Sequence, residues 1–244
     1  MIDQYLKEQN GEIMEKYSIS VAESRIVAIM NGQRVLISTG ATVSIGEIPE
    51  IKILGQSYKL ENRLQGADLN SIRDSLKTDI KALLGMDILT KFVFYVSHGI
   101  QAIICSDYFI NFKENMHELP ISIELGLPVI DVKIAGLDMK MVLDTGSKWS
   151  YLQEDLLTGV KNINIQETYY PGAGSFITDI YDLPLDLKGK DMNVPAGVLP
   201  EVLKRELAAR DCVGILGADI FRYFNIQFNF KNSTIWLVEK GKAR

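Results

Sequence analysis

The chain has too few cysteines and histidines to be organised by either. Cys105 and Cys212 are its only cysteines, which rules out a disulfide framework; each lies in or beside an apolar stretch, so buried thiols in a reducing compartment are expected. Histidine occurs only at His98 and His117. Neither stands near a cysteine or in a two-histidine ligand spacing, so no metal site is expected, and neither is a promising base for a serine or cysteine triad. Long apolar runs are missing too. Phe92 to Val96 and Ile100 to Cys105 are far shorter than a bilayer span, and residues 1–16 are polar and charged where an export signal needs a basic stub and then an apolar stretch. A cytoplasmic protein with no membrane partner is the expectation. There is no basic excess: with a net charge of -5 and both signs interspersed, no basic face is left for a phosphate backbone, which argues against nucleic acid as a partner. Gly-x-Ser-x-Gly and a phosphate loop ending in Gly-Lys-Ser/Thr do not occur, and Gly214-Ile215-Leu216-Gly217 lacks the next glycine of a dinucleotide fingerprint. No cofactor is expected.

What the chain does have is apolar content, 47% of 244 residues, enough for one large or two small cored domains. It also has an internal repeat. Met141-Val142-Leu143-Asp144-Thr145-Gly146-Ser147 sets a carboxylate at the end of an apolar strand, on a turn suited to glycine and small hydroxyl residues. Val35-Leu36-Ile37-Ser38-Thr39-Gly40-Ala41 repeats that neighbourhood with serine in place of the aspartate. A second pair comes next in the same order: Leu83-Leu84-Gly85-Met86-Asp87-Ile88-Leu89 and Ile215-Leu216-Gly217-Ala218-Asp219-Ile220-Phe221. Each copy has a helical pattern before this second landmark, Leu69, Ile72, Leu76, Ile80 and Leu83 in one and Leu199, Val202, Leu203 and Leu207 in the other. Matching landmarks in matching order argue for duplication.

The duplication divides the chain into a polar arm (1–16), a reduced β lobe (17–105), a connecting segment (106–119) and a complete β lobe (120–244). Within the connection, Asp107 to Phe112 is apolar enough to form a strand. The second copy is longer between its landmarks and contains Tyr169-Tyr170-Pro171-Gly172-Ala173-Gly174-Ser175-Phe176, a glycine-rich turn between extended runs. Two readings of it stand: a hairpin tip that closes over a cleft, and an ordinary surface loop. The first copy is expected to be too short for both such a hairpin and its helix. Asp87 and Asp219 are expected to cap short helices.

The series apolar-apolar-Asp-Thr-Gly-Ser, glycine-rich tip and apolar-apolar-Gly-x-Asp-apolar-apolar resembles the retropepsin-like aspartic peptidases, including their bacterial members. The tandem order is similar to the two-lobed pepsin plan, over roughly residues 17–112 and 118–240. The resemblance implies a mainly β fold of two tandem closed-barrel lobes with one short helix each and a cleft between them. It implies Asp144 as the catalytic carboxylate, Thr145 as a hydroxyl that bonds the opposite lobe's backbone, Gly146 as a close-packed turn, and Ile215-Leu216-Gly217 as the strand behind the loop. Ser147, Ser38, Thr39 and Gly40 would support the site, and a flap with Tyr169, Tyr170, Gly172, Ala173 and Gly174 would touch a peptide or protein substrate.

Ser38 departs from that pattern at the position where the chemistry is most demanding. In a two-aspartate site one carboxylate is ionised and takes a proton from water, while its neighbour holds a proton for the substrate carbonyl. A serine does neither well. Ser147 is expected to donate a hydrogen bond to Asp144. Two assemblies are open: a homodimer that brings together two copies of Asp144 as a true aspartic endopeptidase, or a single-chain cleft with Ser38 opposite Asp144. The second would cleave weakly or act as a pseudopeptidase that binds extended peptides. Ser38 itself reads either as a decayed position with a structural hydrogen bond or as an active participant.

Overall fold

The computed structural model describes residues 13–62, 68–98, 100–111 and 116–239, and it is mainly β. The first half opens with an antiparallel meander, β1 (Met14–Ala22), β2 (Arg25–Met30) and β3 (Gln33–Ile37). After the Ser38 turn come β4 (Ile45–Gly46), the hairpin β5 (Glu50–Ile53) and β6 (Gln56–Lys59), and helix α1 (Leu69–Leu76). β7 (Ala82–Leu84), the single-turn α2 (Met86–Leu89) and the hairpin β8 (Val93–Ser97) and β9 (Ala102–Ser106) complete it. The second half runs through β10 (Met116–Pro120), β11 (Ser122–Glu124), β12 (Leu127–Ile134) and β13 (Leu137–Leu143) to the Asp144 turn. Beyond it lie β14 (Ser150–Leu152), the long strands β15 (Asn162–Tyr170), β16 (Gly174–Leu187) and β17 (Lys190–Val198), helix α3 (Glu201–Ala208), β18 (Gly214–Leu216), β19 (Phe224–Asn229) and β20 (Thr234–Glu239).

The apolar runs before the two turns become strands buried on both faces, which is why they read as continuous rather than alternating. In the first half Val35, Ile37, Ala82 and Leu84 face the main core, while Leu36 and Leu83 face α1. Met141, Leu143 and Leu216 divide from Val142 and Ile215 in the same way around α3. Helix α1 buries Leu69, Ile72 and Leu76 at helical spacing, and Asp68 caps it by accepting from the Ser71 amide at 2.8 Å.

The pairings that hold each turn recur. β3 lies parallel to β7 and β13 parallel to β18, so the Ser38 amide donates to Leu84 O at 3.0 Å and the Asp144 amide to Leu216 O at 2.9 Å. Behind them the Gly85 amide donates to Ser44 Oγ at 2.8 Å, and the Gly217 amide to Ser150 Oγ at 3.1 Å. The halves are then joined at their closing hairpins. β8 pairs with β19, placing Phe94 opposite Phe228 with the rings stacked at 4.5 Å, and so builds one ten-stranded sheet across both halves. The eight-stranded sheet belongs to the second half, and a further pairing of Lys133 with Asp186 links β12 back to β16.

Several expectations change. Instead of one helix per half, the first half has α1 and α2, because its second landmark winds into an α-helical turn; the counterpart at Ala218–Arg222 is a 3-10 turn. A hairpin does exist in the first half. Its strands are only four residues long, and Leu54 and Gly55 turn it with φ of 52° and 73°, the twist a two-residue hairpin turn needs. Ile51 and Ile53 bury in the core, so this hairpin packs instead of covering the turn. Of the expected arm, residues 1–12 lie outside the described residues, and Met14 already begins β1. Asp107 to Asn111 forms no strand, and Phe112 lies outside the described residues; the strand of the connection is β10, which pairs with β20. Neither Asp87 nor Asp219 is the N-cap residue, a place taken by Gly85 and Gly217, but Asp87 does take up one first-turn amide. Asp87 accepts from Ser44 Oγ at 2.6 Å and from the Ile88 amide at 3.0 Å, and Asp219 pairs with Arg222 at 3.4 Å. Both cysteines are buried, as expected of thiols in apolar segments. Among the described residues no helix is long and apolar enough to cross a membrane.

Candidate active site

The Ser38 and Asp144 turns meet back to back and interlock through their threonines. Thr39 Oγ1 donates to Leu143 O at 2.6 Å and accepts from the Thr145 amide at 3.0 Å. Thr145 Oγ1 returns the arrangement, donating to Ile37 O at 2.9 Å and accepting from the Thr39 amide at 3.1 Å. Both hydroxyls have donor and acceptor roles filled, which burial demands. The glycines let the turns approach this closely. A Cβ on Gly40 would lie 2.1 Å from Asp144 Cγ, and one on Gly146 would lie 2.2 Å from Ser38 Oγ.

This contact sets Asp144 against Ser38 of the same chain. Asp144 is 4% exposed, and its Oδ1 accepts from the Gly146 amide at 2.8 Å, the Gly40 amide at 3.1 Å and Ser38 Oγ at 3.3 Å. Its Oδ2 accepts from the Tyr170 hydroxyl at 3.0 Å. Burial pushes the Asp144 carboxyl above the usual carboxylate range, and the donors from Gly146, Tyr170, Gly40 and Ser38 pull it back only in part. Ser147 is not among these donors. Its hydroxyl donates to Trp149 O at 2.7 Å instead.

No family model matches the chain, and no curated protein matches it.

The glycine-rich segment is a hairpin tip over the turns. Tyr169 pairs with Ser175 and Tyr170 with Gly174, and the Ala173 amide donates to Tyr170 O at 3.0 Å to close it. Gly172 and Gly174 supply φ of 84° and 75°. Tyr169 packs on the α1 cluster of the first half, whereas Tyr170 packs on the α3 cluster and meets Tyr151 edge-on at 5.9 Å. Burial first, and then the Asp144 charge, hold the Tyr170 phenol well above its ordinary range, so it stays a donor. Beneath the tip a cavity of about 450 Å³ is bordered by Ser38, Gly40, Asp144, Gly146, Tyr169, Tyr170, Pro171 and Gly172, among others; Ala173 and Gly174 do not border it.

Arg25 also borders that cavity, and sequence reading missed it. It is 6% exposed and forms the first position of β2, held by Ser75. The only signal was an arginine at the entry to the apolar run Ile26-Val27-Ala28, which looks like a surface residue ending a turn.

Proposed function

We propose that the chain is an aspartic-peptidase-type protein of two tandem acid-protease lobes that holds an extended polypeptide between the Ser38 and Asp144 turns. Asp144, the one carboxylate carried by the two turns, activates water against a peptide bond. The observation that carries this reading is Asp144 facing Ser38 at 3.3 Å, inside an interlocked pair of turns and under a hairpin tip. The strands of the second half that return through β12 and β16 support a closed-barrel lobe there. The four threonine bonds between the turns support a single-chain cleft over a homodimer that pairs two copies of Asp144, since that dimer needs them to part.

The reaction balances with one carboxylate. Ionised Asp144 takes a proton from water as the water oxygen bonds to the carbonyl carbon. The oxyanion accepts a hydrogen bond from the Tyr170 or Ser38 hydroxyl, and the proton on Asp144 then passes to the amide nitrogen as the C–N bond breaks. Missing is the full proton a second carboxylic acid would give the oxygen, so hydrolysis is slow. The tip must also lift, because the Tyr170 hydroxyl covers Oδ2.

Ser38 favours a second reading, a pseudopeptidase that binds without cutting by backbone pairing in the cleft. Proteolysis of unfolded casein across pH tests both. Wild type should cut slowly and Asp144→Asn not at all; equal rates would remove Asp144 from the mechanism. A lone base gives a rate that rises with pH along a single limb, whereas Ser38→Asp should raise the rate and turn the profile into a bell. A silent wild type beside an active Ser38→Asp monomer would select the binder.

A further inference from the structure

We propose that Arg25 forms a carboxylate-binding subsite in this cleft, one that takes an acidic side chain of the bound polypeptide. The inference rests on the peptide-cleft reading and adds which residue the cleft selects. Arg25 borders two cavities, the one that holds Asp144 and a second with Glu23 and Lys148, and Tyr169 of the hairpin borders both as well. A side chain reaching Arg25 therefore lies under the tip, beside the bond that Asp144 addresses.

The guanidinium has five N–H donors, yet among the described residues its hydrogen bonds go only to Ser75: Nη1 to Oγ at 3.1 Å and Nη2 to O at 2.9 Å. Its Nε is buried and has no partner among the described residues. Ser75 Oγ donates onward to Ile72 O at 2.8 Å, so the residue that holds the fork is itself fixed to α1. Among the described residues no carboxylate lies within ion-pair distance of Arg25. Glu23 is engaged by Lys77 at 3.2 Å and by Lys148, and the Asp144 oxygens already accept from four donors. The Asp144 and Glu23 charges act on Arg25 without reaching ion-pair contact, so the buried cation is only partly compensated, and burial outweighs what they supply. A carboxylate in contact supplies the close charge and the missing acceptors together, in the planar geometry that arginine matches best. An apolar side chain would bury the charge further, and a basic one would be repelled.

The test reads binding without cutting. Labelled peptides of the form acetyl-Ala-Ala-Phe-Leu-Ala-Ala-amide, with one alanine at a time replaced by Glu or by Gln, are titrated against the Asp144→Asn chain by fluorescence anisotropy. At one position Glu should bind at least about tenfold tighter than Gln, roughly what a charged hydrogen-bonded pair contributes, and the two should bind alike in Arg25→Met. Arg25→Lys, which keeps the charge and loses the fork, should retain part of the preference. Where Arg25→Met does not fold, Arg25→Gln carries the same comparison. A Gln peptide with a free C-terminus separates the sources of carboxylate: tightening by the chain end alone would overturn the side-chain assignment. Peptides that bind with no Glu preference at any position would overturn the subsite and leave the cleft reading standing. Absence of binding by every peptide would remove the cleft reading and the subsite with it.

Discussion

Asp144 divides its partners unevenly, three donors on Oδ1 and one on Oδ2, and its burial bears on stability. Because burial outweighs the donors, its folded pKa stands above the unfolded value. Below about pH 4 the carboxyl is protonated in both states and the stability is fully present. As pH rises through the folded pKa, the charge must be held in the buried contact between the turns, and stability is lost. Asp144→Asn keeps an oxygen for the Gly146 and Gly40 amides and never takes that charge. It should therefore melt above wild type at neutral pH, with the gap closing toward pH 4, in thermal scans across that range; parallel curves would mean that burial of Asp144 is not destabilising. At this scale the central residues were legible. Asp144, Thr145, Gly146 and their counterparts Ser38, Thr39 and Gly40 stand at fixed offsets from an apolar strand, and backbone geometry does the rest. Ser147 and Arg25 were not, since a rotatable hydroxyl has several acceptors within reach and a long side chain ends where packing sends it.

The glycine-rich hairpin is the element that covers Asp144. Its tip is tied down by the hydrogen bond from Tyr170 to Asp144, by a second between the Tyr169 and Ser71 hydroxyls, and by the packing of Tyr169 and Tyr170 on opposite halves. A hydroxyl donating to a buried carboxylate contributes about 1.5–3 kcal/mol, equivalent to about ten- to a hundredfold in the opening equilibrium. Tyr170→Phe keeps the ring contact with Tyr151 and removes that bond. Hydrogen exchange followed by mass spectrometry should then show the amides of residues 169–175 exchanging about tenfold or more faster, with α1 and α3 unchanged. Undiminished protection would assign the closed tip to ring packing and the Tyr169 bond to Ser71. The hairpin was visible in advance because glycine at positive φ leaves a compositional trace. The smaller one at β5 and β6 was overlooked although Glu50-Ile51-Lys52-Ile53 alternates and Leu54-Gly55 turns it; leucine at φ of 52° is a turn residue that composition does not announce. The pairing of β8 with β19 was hidden for a different reason, since contacts between residues so distant in sequence leave no periodicity to read.

That pairing decides how the whole molecule unfolds. Apolar residues from Ile26 to Leu237 belong to one buried cluster, and the ten-stranded sheet has members from both ends of the chain. Separate folding of the halves would leave β8 and β19 with open edges and bare aromatic faces. The duplication in the sequence therefore gives one cooperative unit instead of two. Both tryptophans, Trp149 and Trp236, lie in the second half, so their fluorescence reports that half alone, whereas far-ultraviolet circular dichroism reports all strands. Denaturant curves from the two probes should coincide. A sharper form of the test places the damage on the far side. Phe94 is fully buried in the first half and stacks on Phe228, so Phe94→Ala should remove about 3–5 kcal/mol. If the chain is one unit, tryptophan fluorescence shifts its midpoint as far as circular dichroism does, although the substitution lies in the half without tryptophan. A fluorescence transition that stays in place while circular dichroism splits into two steps would mean that the halves are independent, and the turn contact between Ser38 and Asp144 would then hold only as long as two separate bodies stay docked.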